Sequence, residues 1–114
     1  MALSELYTGT EAISTTEWSL TTDTAGPDAD TTEGVMQAWL DIDDMVAGDQ
    51  LQIRIYEKCR SGDTQRVVYE SVLEGDQGSV LFVTPPLQVK HGWDVTCDAL
   101  AGTITVNWSI RMAS

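Results

Sequence analysis

Residues 103–112 read Thr-Ile-Thr-Val-Asn-Trp-Ser-Ile-Arg-Met, with polar and apolar side chains in strict alternation. Successive side chains of a β-strand point to opposite faces, so this pattern places every apolar residue on one face. A helix would scatter the same residues around its circumference. The pattern therefore predicts a strand that covers a core with five side chains, those of Ile104, Val106, Trp108, Ile110 and Met112.

Two further segments, 50–58 and 66–73, alternate in a similar way. The turn-forming sequence Ser-Gly-Asp at 61–63 lies between them, which is typical of a β-hairpin. The side chains that these two segments are predicted to direct at the core are Leu51, Ile53, Ile55, Val67, Tyr69 and Leu73.

Four other stretches carry weaker strand patterns. Residues 33–42 fit either a strand buried on both faces or a short helix, and the flanking glycines favour the strand. Residues 13–20, 79–84 and 87–97 also fit strands, the last with a bulge at Gly92. The count of about seven short strands predicts an all-β fold, an antiparallel two-sheet sandwich that is either jelly-roll-like or a small barrel.

The domain organisation follows from length and periodicity. A chain of 114 residues fits one domain with its own core. Residues 1–12 lack periodicity and are predicted to form an extended N-terminal arm, whereas residues 13–114 form the β-sandwich domain. Residues 21–33 are predicted to be a polar, acidic loop within that domain.

The charge distribution excludes some classes of partner. The formal net charge is −12, and residues 1–53 contain eleven acidic residues with no lysine or arginine. Nucleic acids and anionic membrane surfaces attract clustered basic residues, so neither is an expected partner. The acidic half is expected either to keep the protein soluble or to dock on a basic surface of a partner.

No catalytic, cofactor-binding or metal-binding site is predicted. His91 is the one histidine and has no recognisable nucleophile beside it in the sequence. Cys59 and Cys97 lack the spacing of a zinc site and are expected to be buried thiols on strands, although neighbouring strands would allow a disulfide. The acidic residues 28–34 depart from a calcium-loop pattern, so they are expected to be solvated.

Four basic residues belong to the predicted hairpin, namely Arg54, Lys58, Arg60 and Arg66. They could form cross-strand salt bridges with Glu57 or Glu70. Alternatively, they could contact the acidic half of a neighbouring copy of the chain, which suits self-association.

Several segments resemble small β-structured virion proteins of tailed bacteriophages. They are residues 56–69 (Tyr-Glu-Lys-Cys-Arg-Ser-Gly-Asp-Thr-Gln-Arg-Val-Val-Tyr), 84–87, 91–96 and 108–111. The resemblance implies a capsid decoration (cement) protein, made in the host cytoplasm and bound to the outside of the major capsid protein lattice. It also implies a homo-oligomer, with a trimer favoured, and no enzymatic activity.

The residues expected to bind a partner come from the arm, the acidic loop and the hairpin. They are Leu3, Leu6, Tyr7, Asp28, Asp30, Arg54, Lys58, Arg60 and Arg66. Two alternative functions remain at this stage. One is a head–tail or tail accessory protein, and the other is a carbohydrate-binding module exposed on the particle. The second would use Trp18 or Trp93, because Trp39 and Trp108 lie in apolar patterns that predict core packing.

Overall fold

The computed structural model describes residues 2–114, which form ten β-strands in two antiparallel sheets. The all-β, two-sheet prediction is therefore confirmed. The described residues contain no helix that is long and apolar enough to cross a membrane. In chain order the strands are β1 (Leu3–Ile13), β2 (Trp18–Ser19), β3 (Thr24–Ala25), β4 (Gly34–Asp41), β5 (Gln50–Glu57), β6 (Arg66–Glu74), β7 (Leu81–Val83), β8 (Leu87–Val89), β9 (Asp94–Ala101) and β10 (Ile104–Ala113).

The strand order identifies the sandwich as a jelly roll. Sheet A has the order β1-β10-β4-β7, with β8 also paired to β4, and sheet B has the order β3-β2-β9-β5-β6. Early strands therefore pair with late ones in a nested series, in which β1 pairs with β10, β2 with β9, β4 with β7 and β8, and β5 with β6. Such nesting of antiparallel pairs across two sheets is the jelly-roll arrangement. Of the two predicted forms, the structure is therefore the jelly-roll-like sandwich and not the small barrel.

The core lies between the sheets, where the alternating strands predicted it. All five apolar side chains of β10 are buried, and so are Leu51, Ile53 and Ile55 of β5. β10 lies between β1 and β4, so it covers the centre of sheet A. The predicted hairpin of β5 and β6 is also confirmed, with Leu51 opposite Leu73 and Ile55 opposite Tyr69.

One core position of the hairpin was predicted wrongly. Val67 is 44% exposed on the outer face of sheet B. The register shifts there, because Ile55 lies opposite Tyr69 while Tyr56 lies opposite Val67. Val68 is thus the extra residue of a β-bulge. An inserted residue reverses which face the following side chains occupy, so Val67 shares the face of Tyr56.

Residues 87–97 are two strands rather than the single bulged strand that was predicted. β8 pairs with β4 in sheet A, whereas β9 pairs with β5 in sheet B, so the chain crosses between sheets at residues 90–93. Gly92 has φ of +152°, and a Cβ there would lie 2.8 Å from Cε of Lys58. The crossover therefore favours a glycine, because other residues rarely adopt this backbone conformation, whereas the flexible lysine side chain could move aside.

The predicted N-terminal arm is part of the sandwich. Residues Leu3–Ile13 form β1, which pairs along its whole length with β10. Backbone hydrogen bonds hold a strand without apolar alternation in its sequence, which explains why periodicity missed it. The fit is close at Gly9, where an added Cβ would lie 2.3 Å from Cζ2 of Trp108. The strand predicted over 13–20 is correspondingly reduced to the two residues of β2.

Candidate partner-binding surfaces

The hairpin turn creates two grooves at one end of the molecule. The first, of about 760 Å³, is lined by Glu57–Cys59, Gly62–Thr64 and Arg66–Val68. The second, of about 510 Å³, lies on the other side of Lys58 and Cys59 and is bordered by residues 33–35 and 88–91. Both grooves combine charged side chains with apolar surface, as partner-binding surfaces do.

The four basic residues of the hairpin do not form one continuous stripe. Arg54 lies on the outer face of sheet B, where its Nε is 3.0 Å from a carboxylate oxygen of Glu70. Arg60 pairs with Asp63 of its own turn at 3.0 Å. The structure therefore has the cross-strand pair at Arg54, while the groove residues Lys58 and Arg66 remain candidates for a partner.

A polar network that the sequence did not reveal covers the outer face of sheet B. The carboxylate of Glu17, which precedes β2, accepts hydrogen bonds from the hydroxyl groups of Tyr56 (2.5 Å) and Thr96 (2.6 Å). Arg54 lies 3.7 Å from the same carboxylate. Burial, followed by the bond to Glu17, raises the pKa of Tyr56. Glu17 falls within the strand predicted over 13–20 but lies in an irregular loop before β2, so the sequence pattern did not show that its carboxylate would reach sheet B.

Asp98 lies on the same face of β9 as Thr96, opposite Gln52 of β5. Its Oδ1 atom is buried and has no hydrogen-bond partner among the described residues. Burial raises the pKa of Asp98, because removing a carboxylate from water disfavours its charged form. The outer face of sheet B therefore includes a partly exposed carboxyl group, one oxygen of which is shielded from water.

A second buried carboxylate holds the acidic loop against the sheet. Asp94, at the start of β9, is fully buried and accepts hydrogen bonds from the hydroxyl groups of Ser19 (3.0 Å) and Thr21 (2.8 Å). Its other oxygen accepts the backbone N–H of Asp28 at 2.8 Å. Burial raises the pKa of Asp94, and these hydrogen bonds oppose that shift. The loop is consequently fixed to sheet B rather than extended into solvent.

The acidic loop also brings two predicted partner-binding residues together. Asp30 accepts a hydrogen bond from the hydroxyl group of Tyr7, and this bond raises the pKa of Tyr7. The carboxylate of Asp28 accepts one from Thr22 at 2.7 Å. Both carboxylates are thus engaged in hydrogen bonds within the chain, although that of Asp28 remains exposed to solvent.

The apolar candidates near the N-terminus separate into two kinds. Leu6 and Tyr7 are half-buried and pack against the core, so they contribute to the fold. Leu3 is 73% exposed at the start of β1. Only Leu3 of these three therefore offers a large apolar surface for docking.

Of the two tryptophans predicted to pack in the core, Trp108 does and Trp39 does not, and of the two candidates for binding a glycan, one is buried. Trp93 is fully buried, so it cannot stack on a glycan, and Trp108 is buried as expected. Trp39 is only half-buried, because it lies on the outer face of sheet A with the guanidinium of Arg111 4.2 Å from its ring centre. Trp18 is half-buried and donates a hydrogen bond from Nε1 to Asp23.

The cysteines are both free, but only Cys97 is a buried strand residue. Burial raises the pKa of the Cys97 thiol, which suppresses its reactivity. Cys59 is exposed in the turn after β5, contrary to the prediction, and lines the second groove with His91 and Glu57. Within residues 2–114 no hydrogen bond joins Cys59 to His91. The carboxylate of Glu57 accepts backbone N–H groups from Lys58 in the hairpin turn and from Lys90 and His91 in the crossover.

Comparisons with known proteins add little. No protein-family model matches the chain, and no curated protein matches it. One similar solved structure is the "Structure of infectious bursal disease virus Gx strain", with a TM-score of 0.42 and 10% identity. The alignment covers 96% of this chain, which spans only 30% of that one. A likeness this distant carries no argument about function.

Proposed function

We propose that this protein is a structural component of a virion, most specifically a decoration protein on the outside of a tailed-bacteriophage capsid. The resemblance of residues 56–69 and 108–111 to small virion proteins supports this role. The jelly-roll topology is compatible with it, because viral capsid domains often have this fold. Fold alone does not imply function, so the surface of the protein has to support this role.

The observation that carries the proposal is a framework of fixed loops with exposed valines beside basic groups at its hairpin end. The loops packed on sheet B are held by buried carboxylates, chiefly Asp94. At the hairpin end, Val67 and Val68 are 44% and 53% exposed beside the basic groups of Lys58 and Arg66. A rigid block of this kind binds without ordering itself first, which lowers the entropic cost of docking.

In this proposal the hairpin end faces the lattice of the major capsid protein. The grooves there are lined by exposed apolar side chains and by three cationic residues, Lys58, Arg66 and Lys90, on a chain of net charge −12. An acidic partner surface would be repelled by most of this protein and attracted by the basic groups at this end. Electrostatic selection of this type fixes orientation more than affinity.

The test is binding to purified capsids that lack the protein. Arg66→Ala should weaken cosedimentation with capsids, whereas Arg111→Ala makes the same charge change on sheet A and should leave binding intact. Equal binding of both variants and the wild type would remove the hairpin end as the docking site. Imaging of the native particle separates a place on the shell from a head–tail or tail location.

A reaction at the second groove is the rival to a docking role, because Cys59 and His91 both line that groove. In the docking role these two side chains contribute only contact surface, so Cys59→Ser and His91→Gln should lower capsid occupancy less than Arg66→Ala does. Cys59 should also react with a thiol reagent at the rate of an ordinary solvent-accessible cysteine. Accelerated labelling of Cys59 that depends on His91 would favour the enzymatic role.

A further inference from the structure

We infer that two copies of this protein associate through β6, the outermost strand of sheet B, to form one continuous sheet across a two-fold axis. β6 pairs with β5 on one side, and no other strand among residues 2–114 pairs with it. Its nine residues include three valines that are 43% to 53% exposed, Val67, Val68 and Val72. An unpaired strand edge with apolar side chains is a template for pairing with another chain.

The backbone alternation shows which groups are available along this edge. The N–H of Gly75 donates to the carbonyl oxygen of Asp49, so Gly75 points toward β5. Backbone groups of an antiparallel strand alternate between its two sides. Glu70, Val72 and Glu74 therefore direct their N–H and C=O groups to the open edge.

The side chains favour one register for two identical strands. If the two-fold axis passed through Glu70, that residue would lie opposite its own copy. If the axis passed through Val72, Glu70 of each copy would lie opposite Glu74 of the other. A centre at Ser71 sets Glu70 against Val72 and Tyr69 against Leu73, with no carboxylate opposite another. Like charges directly opposite destabilise a sheet, so the strand is self-complementary about Ser71.

The opposite edge of the sandwich lacks these features. β1 is also an outermost strand, but its edge-directed residues Thr8, Thr10 and Ala12 are polar or small. Its large exposed apolar side chain, Leu3, lies at the very start of the strand. A second copy is therefore expected on β6 and not on β1.

This pairing closes with two copies, so it gives a dimer and not the trimer that the family resemblance implied. The inference does not rest on the proposed capsid role, and the two share the exposed side chains of Val67 and Val68. Because each chain carries a net charge of −12, the copies repel each other at long range. Salt screens that repulsion, so the dimer should become stronger as ionic strength rises.

The first experiment introduces a negative or a positive charge at Val72. Sedimentation of the purified full chain, from about 1 µM to about 500 µM, covers the range in which small interfaces dissociate. Val72→Glu places a carboxylate opposite Glu70 twice per dimer and should weaken association at least tenfold. Val72→Lys places an ammonium there and should strengthen it. The matched variants Thr10→Glu and Thr10→Lys carry the same net charges on β1 and should change association less than threefold.

The second experiment tests the register directly. In a Cys59→Ser background, Ser71→Cys should form a disulfide-linked dimer on mild oxidation, since opposed residues at a two-fold centre lie within disulfide reach. Thr10→Cys in the same background is the control and should not cross-link above chance. A wild-type chain that stays monomeric or forms trimers overturns the inference, as does equal weakening by Val72→Glu and Val72→Lys.

Discussion

Sheet A and sheet B cover their outer faces in different ways. The outer face of sheet A stays open to solvent, with exposed polar residues such as Thr105 and Asn107. On sheet B, Thr96 and Asp94 point away from the core and are nevertheless fully buried beneath loops. A polar residue on the outer face of a sheet is thus not always solvated. A loop can cover it and replace water with hydrogen bonds from the protein.

The largest expected effect concerns the buried carboxylate of sheet B. Asp94→Ala removes the acceptor shared by Ser19, Thr21 and the backbone of Asp28. Leaving buried donors unpaired should lower the free energy of unfolding by about 3 kcal/mol. Urea denaturation measures the loss, and Asp43→Ala, at an exposed loop position, should change stability by less than about 0.5 kcal/mol. Similar losses in the two variants would show that the carboxylate does not hold the loop.

A somewhat smaller effect is expected on the core side of sheet A. Gly9→Ala places a methyl group against the ring of Trp108, 2.3 Å from Cζ2, so strand or ring must move. Such overpacking costs about 1–3 kcal/mol. Gly62→Ala is the control, because nothing lies within 4 Å of its added Cβ. Thermal unfolding should separate the pair, and equal midpoints would mean that β1 is not packed closely on Trp108.

The outer faces themselves can be compared through one carboxylate on each. Glu17→Ala on sheet B removes the acceptor of Tyr56 and buried Thr96, which should cost about 1–2 kcal/mol. Glu5→Ala on sheet A removes a partner of Ser109 at an exposed position and should cost less than about 0.5 kcal/mol. A larger loss for Glu5→Ala would reverse the proposed difference between the faces. Chemical denaturation of both variants at pH 7 makes the measurement.

The smallest effect is a pH dependence at Asp98. Burial raises the pKa of Asp98 in the folded protein, so the folded state holds this proton more tightly than the unfolded chain does. Its stabilising contribution is therefore present below the unfolded pKa and is lost as pH rises through the folded pKa. Asp98→Asn, which cannot ionise, should be more stable than the wild type at pH 7 by less than about 1 kcal/mol, since the group is partly exposed. The difference should shrink toward pH 3 in parallel denaturation curves, and a gain that persists there would contradict this origin.

The comparison of sheets also shows where sequence patterns predict structure well. β10 and β5 were predicted with their core residues because each is buried on one face and solvated or covered on the other. The prediction that Val67 faces the core was wrong, because one inserted residue moves its neighbours to the other face of the sheet. Where such a bulge occurs depends on the strand with which the segment pairs. The prediction of a single strand over residues 87–97 was wrong. The segment passes from one sheet to the other, and this crossover leaves no mark in its apolar content.

Some features of the candidate surfaces were likewise predictable from the local sequence, and others were not. The hairpin and its basic residues were predictable, because alternation and a turn sequence place both strands side by side. The partners of Arg54, by contrast, include Glu17, which is distant in the sequence and lies in an irregular loop. Contacts between an irregular loop and a sheet depend on the packing of the whole chain, so no local pattern encodes them.

By itself the sequence determined the all-β class, the alternating core strands and the acidic character of the chain, since local side-chain order sets which face a strand buries. The tertiary structure alone decided the nesting of early strands with late ones, the inclusion of Leu3–Ile13 as an edge strand and the burial of Asp94. The physical reason is that backbone hydrogen bonds between strands do not depend on the side chains, so any extended segment of suitable length can form them. Which strand fills each place is therefore chosen by the packing of the assembled sheets.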